Sequence, residues 1–318
     1  MLRTITASAR SLHAEIAARS NTRGIALFIG ASITFACMNT LAKFASRGLH
    51  VVEVSWGRYF FSLLFLGFLF PRLPAKRPFA SARPMMQIGR SAFLLGVTLM
   101  FFGAIAYMPL VDAVAIGQTT PLIVTALAGP LLRERVGAQR WTAVAVGFLG
   151  VLVIIRPGLG TFHWAALVML VAAILNALYH LSTRALASVD RPETTVVYTA
   201  IFGTVVLTAA LPFIWSDPEL WEFGELLVLG GLGFTSQYLL AMAYARTPAS
   251  TLAPYTYLII VWLGVLGYVV FGEVPDFWTI LGTLVVVVAG LYLYRHEARA
   301  RVTPAAVPQS AEEIDEVG

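Results

Sequence analysis

AYMPLVDAVAIGQTTPLIVTALAGPLLRERV, residues 106–136, and ARTPASTLAPYTYLIIVWLGVLGYVVFGEVP, residues 245–275, lie over one another at a constant offset. Each turns at a proline (Pro109, Pro248), runs through a long apolar stretch and closes on a glutamate (Glu134, Glu273). A tryptophan follows near the start of the next apolar stretch, Trp141 or Trp278. Such a stretch has the length of a bilayer-spanning helix, which needs ~20 apolar residues to cross ~30 Å of hydrocarbon. Working outward, the same pattern gives ten spans: 24–45, 53–71, 87–107, 111–132, 139–156, 163–183, 194–214, 225–245, 250–271 and 276–294. The composition agrees, with 58% hydrophobic and 12% charged residues and a mean hydropathy of +0.78, where a soluble domain carries ~25% charge. The segments are too long for barrel strands and lack their period-2 alternation. A helix, in contrast, satisfies its backbone within one segment.

Loop charge orients the spans, because cytoplasmic loops collect Lys and Arg. With the N-terminus cytoplasmic, the inside segments carry Arg3, Arg10, Arg19 and Arg23; Arg72, Lys76, Arg77, Arg83 and Arg90; Arg133, Arg135 and Arg140; Arg184 and Arg191; Arg246; and Arg295, Arg299 and Arg301. The outside segments carry only Arg47 and Arg156, while Lys43 and Arg58 lie within spans. The loop with Asp217, Glu219 and Glu222 falls outside. A missed or invented span would swap every later loop and destroy this asymmetry.

The net charge of +5 therefore reflects topology, and nucleic acid is excluded as a partner, since no basic patch is interleaved with aromatics. The first 22 residues lack the apolar region of a cleaved signal. They read either as an interfacial helix, with Leu2, Ile5, Leu12 and Ile16 on one face, or as a mobile basic tail. One cysteine, Cys37, allows neither an internal disulfide nor a multi-cysteine metal site. The five histidines have no metal-ligand spacing, and no P-loop motif offers a use of ATP. No cofactor is called for.

Five spans per copy is an odd number, so the two copies must be inverted in the membrane. The charges agree: the loop at Glu134 is basic, while that at Glu273 has no Lys or Arg. Inverted repeats are common in secondary transporters, with the substrate site near the midplane between the halves. The chain reads as an all-α membrane protein of ten transmembrane helices in two inverted five-helix repeats. A cytoplasmic tail (1–22) precedes the first repeat (23–158, spans 1–5). The second repeat (162–296, spans 6–10) precedes a disordered cytoplasmic tail (297–318), whose stretch 302–318 contains two prolines and four acids.

Arg58 in the second span, Pro109 followed by Asp112, Ala113 and Ala115, Arg133-Glu134-Arg135, Arg156-Pro157-Gly158, Pro254-Tyr255 and Glu273 carry a family resemblance. Over residues ~23–296 the chain resembles the ten-helix EamA group of the drug/metabolite transporter superfamily. Among subgroups it looks closest to bacterial riboflavin and S-adenosylmethionine uptake carriers. The resemblance implies alternating-access transport in either direction and leaves the ligand open. It also implies that the first four spans of each half enclose the cavity, with spans 5 and 10 at the periphery.

Ionisable and polar groups inside spans are the candidates for a site. Arg58 shares a helix face with Ser55 and Ser62. It either grips an anionic or carbonyl group of a substrate, or contacts backbone carbonyls or an acid on another helix. Trp56 points to a different face of the same span and is an aromatic candidate. Lys43 is read as snorkelling to the surface. Asn39 and Thr40 lie one turn deeper on span 1. On span 6, Asn176, Tyr179, His180 and Thr183 form one stripe, which should face protein or a cavity. His180 is either a hydrogen-bonding or pH-sensitive site group or part of helix–helix contact. Gln118, Thr119, Thr120 and Pro121 on span 4 match Pro254, Tyr255 and Tyr257 on span 9. Broken helices in corresponding positions point to a transporter site, against the plainer reading of a proline kink filled by a threonine hydroxyl. Gln237 follows a glycine-rich stretch on span 8. The expected substrate-binding set is Asn39, Trp56, Arg58, Gln118, Asn176, Tyr179, His180, Gln237 and Tyr255, with no catalytic or metal residues.

No Asp or Glu lies deep in a span, which disfavours a pump with a central carboxylate. The expected function is inner-membrane secondary transport of a small organic metabolite, amino-acid-like or vitamin/nucleoside-like, without ATP. An intramembrane enzyme would need a nucleophile–base pair or a metal cluster, and neither is visible. A membrane scaffold or sensor remains the alternative, but it would not require polar stripes in matching positions of both halves. The lipid bilayer and a small molecule are the expected partners. The oligomeric state is left open, a homodimer included.

Overall fold

The computed structural model describes residues 2–69, 80–132, 137–156, 164–186 and 189–302. Regular structure among them is entirely helical. The helices are α1 (Leu2–Ala45), α2 (Val51–Leu69), α3 (Pro84–Ile105), α4 (Leu110–Gly117), α5 (Thr120–Leu132), α6 (Ala138–Ile155), α7 (Trp164–Leu186), α8 (Pro192–Ala210), α9 (Leu220–Arg246), α10 (Ala249–Leu252), α11 (Leu258–Phe271) and α12 (Phe277–Val302). They supply ten segments long and apolar enough to cross a bilayer. Spans 4 and 9 are each built in pieces, α4 with α5 and α10 with α11. The end of the bundle at which span 1 begins is called proximal here, and the opposite end distal.

The ends follow local chemistry. Pro84 and Pro192 sit in the first turns of α3 and α8, where a missing N–H costs nothing. Glu219 and Glu222 form a capping box on α9. Gly272 takes the left-handed conformation, φ 72°, that stops α11. Residues 2–20 belong to α1 without a break, and α12 runs on to Val302, into the segment read as a disordered tail. Residues 303–318 lie outside the described ones.

The dominant helix contacts run between the halves, and they obey a two-fold exchange. Helix α1 packs on α9 and α11, while its counterpart α7 packs on α3 and on α4 and α5. Helix α2 packs on α9, and correspondingly α8 packs on α3. Three contacts join a span to its own counterpart: α2 with α8, span 4 through α4 with span 9 through α11, and α6 with α12. Neither half therefore has a core of its own; the main cluster of buried side chains draws on both. The α6–α12 crossing depends on glycine. A Cβ at Gly282 would stand 2.6 Å from the Gly150 carbonyl oxygen, and one at Gly150 would stand 2.9 Å from that of Gly282. The outward faces carry exposed Leu149, Val205, Val269, Leu284 and Val288, and Trp141, Trp164, Trp221 and Trp278 stand at span ends. This is the lipid-facing pattern of a multi-pass membrane protein.

Candidate functional site: a polar cavity between the two repeats

A cavity of ≈310 Å³ lies where the halves meet. Its walls come from α1 (Phe35, Asn39), α2 (Arg58), α3 (Leu94, Thr98, Phe101), α4 and α5 (Gly117, Thr120), α7 (Met169, Asn176), α9 (Gln237, Leu240) and α11 (Ile259). No lining residue belongs to α6 or α12, which are occupied with each other.

The backbone breaks of spans 4 and 9 meet beside this cavity. Gln118 sits at the gap between α4 and α5, and its Nε2 donates to the Thr256 carbonyl at 3.2 Å, in the 3-10 turn that joins α10 to α11. Pro121 lies in the first turn of α5, so its missing N–H removes no bond within that helix. Hydroxyls bond to carbonyls at the gap: Thr119 donates to Ile116 at 2.6 Å, beside that carbonyl's own backbone bond, and Thr120 donates to Gly117 at 2.8 Å. The helix is broken in matching halves, and threonines fill the break.

Of the nine expected site residues, seven line the cavity: Asn39, Arg58, Gln118, Asn176, Tyr179, His180 and Gln237. Asn39 is buried and donates to the Phe35 carbonyl at 2.7 Å. Asn176 donates to Thr120 Oγ1 at 3.2 Å, tying span 6 to the break in span 4. His180 is accessible where it meets the cavity and stands edge-on to Tyr179. Arg58 donates to Thr98 Oγ1 at 2.9 Å and stands near the rings of Tyr59 and Phe102. It has no carboxylate partner among the described residues. Of the two serines on its helix face, Ser62 donates instead to the Gly230 carbonyl at 2.8 Å. Ser55 Oγ is buried without a partner among the described residues.

Two expected residues stand elsewhere. Trp56 is buried on the α8 side of α2, stacked on Phe60 and donating to Thr208 Oγ1 at 2.9 Å. It turns away from the cavity because it is two residues, about 200° of helix, from Arg58. Tyr255 packs with Phe28, Ala243 and Leu252 in a separate cluster. The 3-10 turn carries its ring off the cavity side.

Lys43 corrects the sequence reading. It does not snorkel to the surface: its side chain is buried, pairs with Glu273 and donates to the Met108 carbonyl at 2.7 Å. Glu273 also accepts from the Leu110 N–H at 3.0 Å, capping α4. Beside it, Arg156 pairs with Asp276. These two ion pairs are the ones found among the described residues, and both lie at the distal end.

The sequence reading missed Arg90, which it counted with the cytoplasmic loops. It is buried inside α3. Its Nε donates to Thr183 Oγ1 at 2.6 Å, Nη1 to Thr199 Oγ1 at 2.8 Å and Nη2 to the Tyr179 hydroxyl at 2.6 Å. The available signal was that Arg90, Leu94, Val97 and Phe101 share one helix stripe with the cavity wall. Below it, Asp190 closes the proximal loop. It accepts from the Ala82 N–H at 2.8 Å and from Gln87 Nε2 at 2.7 Å, and also pairs with the Ser81 hydroxyl.

The profile of the EamA-like transporter family matches residues 22–156 and again residues 163–295. The chain belongs to this family. Two matches in one chain are what a duplicated five-helix unit gives. Similar proteins include the S-adenosylmethionine uptake transporter of Rickettsia bellii, 29% identical over 278 residues, covering 87% of this chain and 95% of the relative. The riboflavin transporter of Vibrio cholerae is 30% identical over 288 residues (87% and 94%). The pseudopaline exporter CntI of Pseudomonas aeruginosa is 30% identical over 277 residues (86% and 96%). One solved crystal structure matches with a TM-score of 0.60 at 16% identity, over 90% of this chain and 99% of the other, a likeness of fold. This EamA protein is a transporter rather than an enzyme, on its family and the names of its relatives. Among the family-like residues, Asp112 and Arg156 line a second, distal pocket; the stretches 133–136 and 157–158 lie outside the described residues.

Proposed function

We propose that this EamA protein carries a small organic metabolite across the bacterial inner membrane by alternating access, using the cavity between its repeats. The observation that carries the reading is the meeting of two broken spans, one from each half, at a cavity lined by Asn39, Arg58, Gln118, Asn176, Tyr179, His180 and Gln237. Discontinuous helices at a repeat interface offer backbone groups to a substrate without exposing them to lipid. Amides, a phenol and one guanidinium among apolar walls suit a small polar, partly aromatic molecule. The relatives' names include both uptake and export and three unlike molecules, so they leave direction and substrate to experiment.

The proposed orientation has both termini cytoplasmic, supported by the loop charges. Reporter fusions should put residues 72–86 in the cytoplasm and 215–224 in the periplasm; the reverse would refute it. For transport itself, purified protein in liposomes is offered a metabolite mixture and the flux is read by mass spectrometry. Arg58→Ala should abolish the flux while leaving the protein inserted. Flux retained in this variant would remove Arg58 from the site, and no flux of any metabolite by the wild type would overturn the carrier reading.

A further inference from the structure

Arg90 and Arg58 are two guanidinium groups lining one recess. This recess, ≈90 Å³, opens off the main cavity: Arg58, Leu94, Tyr179 and Gln237 belong to the walls of both. Every hydrogen-bond partner of the two arginines is neutral. Arg90 donates to three hydroxyls and to the Thr195 carbonyl at 3.3 Å, with its Cζ 4.4 Å from the Tyr179 ring centroid. Arg58 donates to one hydroxyl. Neither makes an ion pair among the described residues. Asp190 is held on Gln87, a turn from Arg90, but its oxygens are engaged by the Ser81–Ala82 loop and Gln87.

Two unpaired positive charges within a bilayer-spanning bundle are costly. Hydroxyls and carbonyls solvate a guanidinium but leave its charge uncompensated. Arg90 is also built in rather than tolerated: the helix-borne side chains of Tyr179, Thr183 and Thr199 hold it, and Thr98, itself bonded to the Tyr59 hydroxyl, holds Arg58. A planar fork held this way suits a carboxylate or a phosphate, both of which offer paired oxygens.

We infer that the recess between Arg58 and Arg90 is an acid subsite, taking the carboxylate or phosphate end of the transported metabolite while the body of the molecule occupies the main cavity. This rests on the transport reading and narrows it to substrates with an anionic end. Arg90 and Tyr179 come from different halves, so an acid group seated there touches both repeats and senses their relative movement.

The test uses matched pairs on the full-length protein. S-adenosylmethionine is set against its decarboxylated form, indole acetate against its amide, and riboflavin phosphate and nucleoside monophosphates against their unphosphorylated forms. Thermal stabilisation in detergent and counterflow in liposomes are both read. The acid member of at least one pair should be preferred on the order of tenfold or more, as the loss of a charge-assisted, bidentate contact implies. Arg90→Gln, which can still donate to the hydroxyls, should erase that preference rather than lower both members equally. The carboxylate and phosphate arms separate the two sources of the acid group. Equal handling of both members of every pair, or a preference unchanged in both Arg90→Gln and Arg58→Gln, overturns the subsite and leaves the carrier intact. Absence of all flux overturns the carrier reading and the subsite with it. If Arg90→Gln fails to insert, the wild-type comparison together with Arg90→Lys, which keeps the charge but loses the fork, decides the matter.

Discussion

Replacing Lys43 by Met should open the distal end of the protein. Lys43 and Glu273 come from residues 230 apart and join span 1 of one half to the start of span 10 in the other. Removing the lysine leaves Glu273 with one donor, the Leu110 N–H. Breaking a fully buried pair by deleting one partner costs about 3–5 kcal/mol. The Glu273 side chain keeps 20% of its surface exposed, so water compensates part of the loss, and about 2–3 kcal/mol is the fair magnitude here. Because the pair exists only while the distal ends are together, the loss falls on the distally closed state. At about 1.4 kcal/mol per factor of ten, the equilibrium should move roughly 30- to 150-fold towards distal opening. The assay is reagent accessibility of a cysteine placed at Met108, which is buried beside the pair, in a Cys37→Ser background. Modification from the distal side should quicken in Lys43→Met. It should fall back when Glu273→Gln is added, because the neutral pair leaves no buried charge. Unchanged modification rates, or a double variant more open than the single one, would refute the reasoning.

Gly282→Val should lower the thermal midpoint of the purified protein, since the new Cβ meets the Gly150 carbonyl and Ile154 at 2.6 Å; overpacking of this kind costs about 1–3 kcal/mol. An unchanged midpoint would show that α6 and α12 can move apart freely. His180→Gln should retain most exchange in counterflow, and wild-type uptake should depend little on a pH gradient, because no carboxylate lines the cavity beside His180. Strong gradient-driven accumulation that is lost in His180→Gln would identify this histidine as a proton site instead. At the proximal loop, partial burial pushes the Asp190 carboxyl up. Its hydrogen bonds from Ser81, Gln87 and the Ala82 N–H outweigh this and hold it below the ordinary range. The loop contact is therefore fully present above pH ~4 and weakens as pH falls through the lowered value. The protection of the amides at residues 80–83 against hydrogen exchange, relative to the intrinsic rate at each pH, should fall on acidification in the wild type, and should already be low at neutral pH in Asp190→Asn.

Ten spans, their breaks and the doubling of the fold were legible in the sequence because each depends on a quantity that runs along the chain. Apolar length sets a span, proline and glycine mark its ends, and an odd repeat forces inversion. The stripe of Asn176, Tyr179 and His180 could be placed on one helix face for the same reason, since 3.6-residue periodicity assigns a face without naming what it meets. Which faces meet was decided only by the two-fold packing of one half into the other. Lys43 shows the limit. Near a span end a lysine can reach water, and only the approach of Glu273 from the other half makes burial the better state. Arg90 shows the converse: three residues inside a span it looks like one more basic group at a boundary. Helices α7 and α8 close over it with Tyr179, Thr183 and Thr199 and turn a topological charge into part of a cavity wall. Trp56 and Tyr255 had the chemistry of a site but the wrong rotation, fixed by a helix face and a 3-10 turn. The sequence by itself determined a doubled, ten-span transporter with polar groups inside it. The tertiary structure decided which of those groups share a cavity, because contacts between residues distant in the chain exist only once the two halves have packed together.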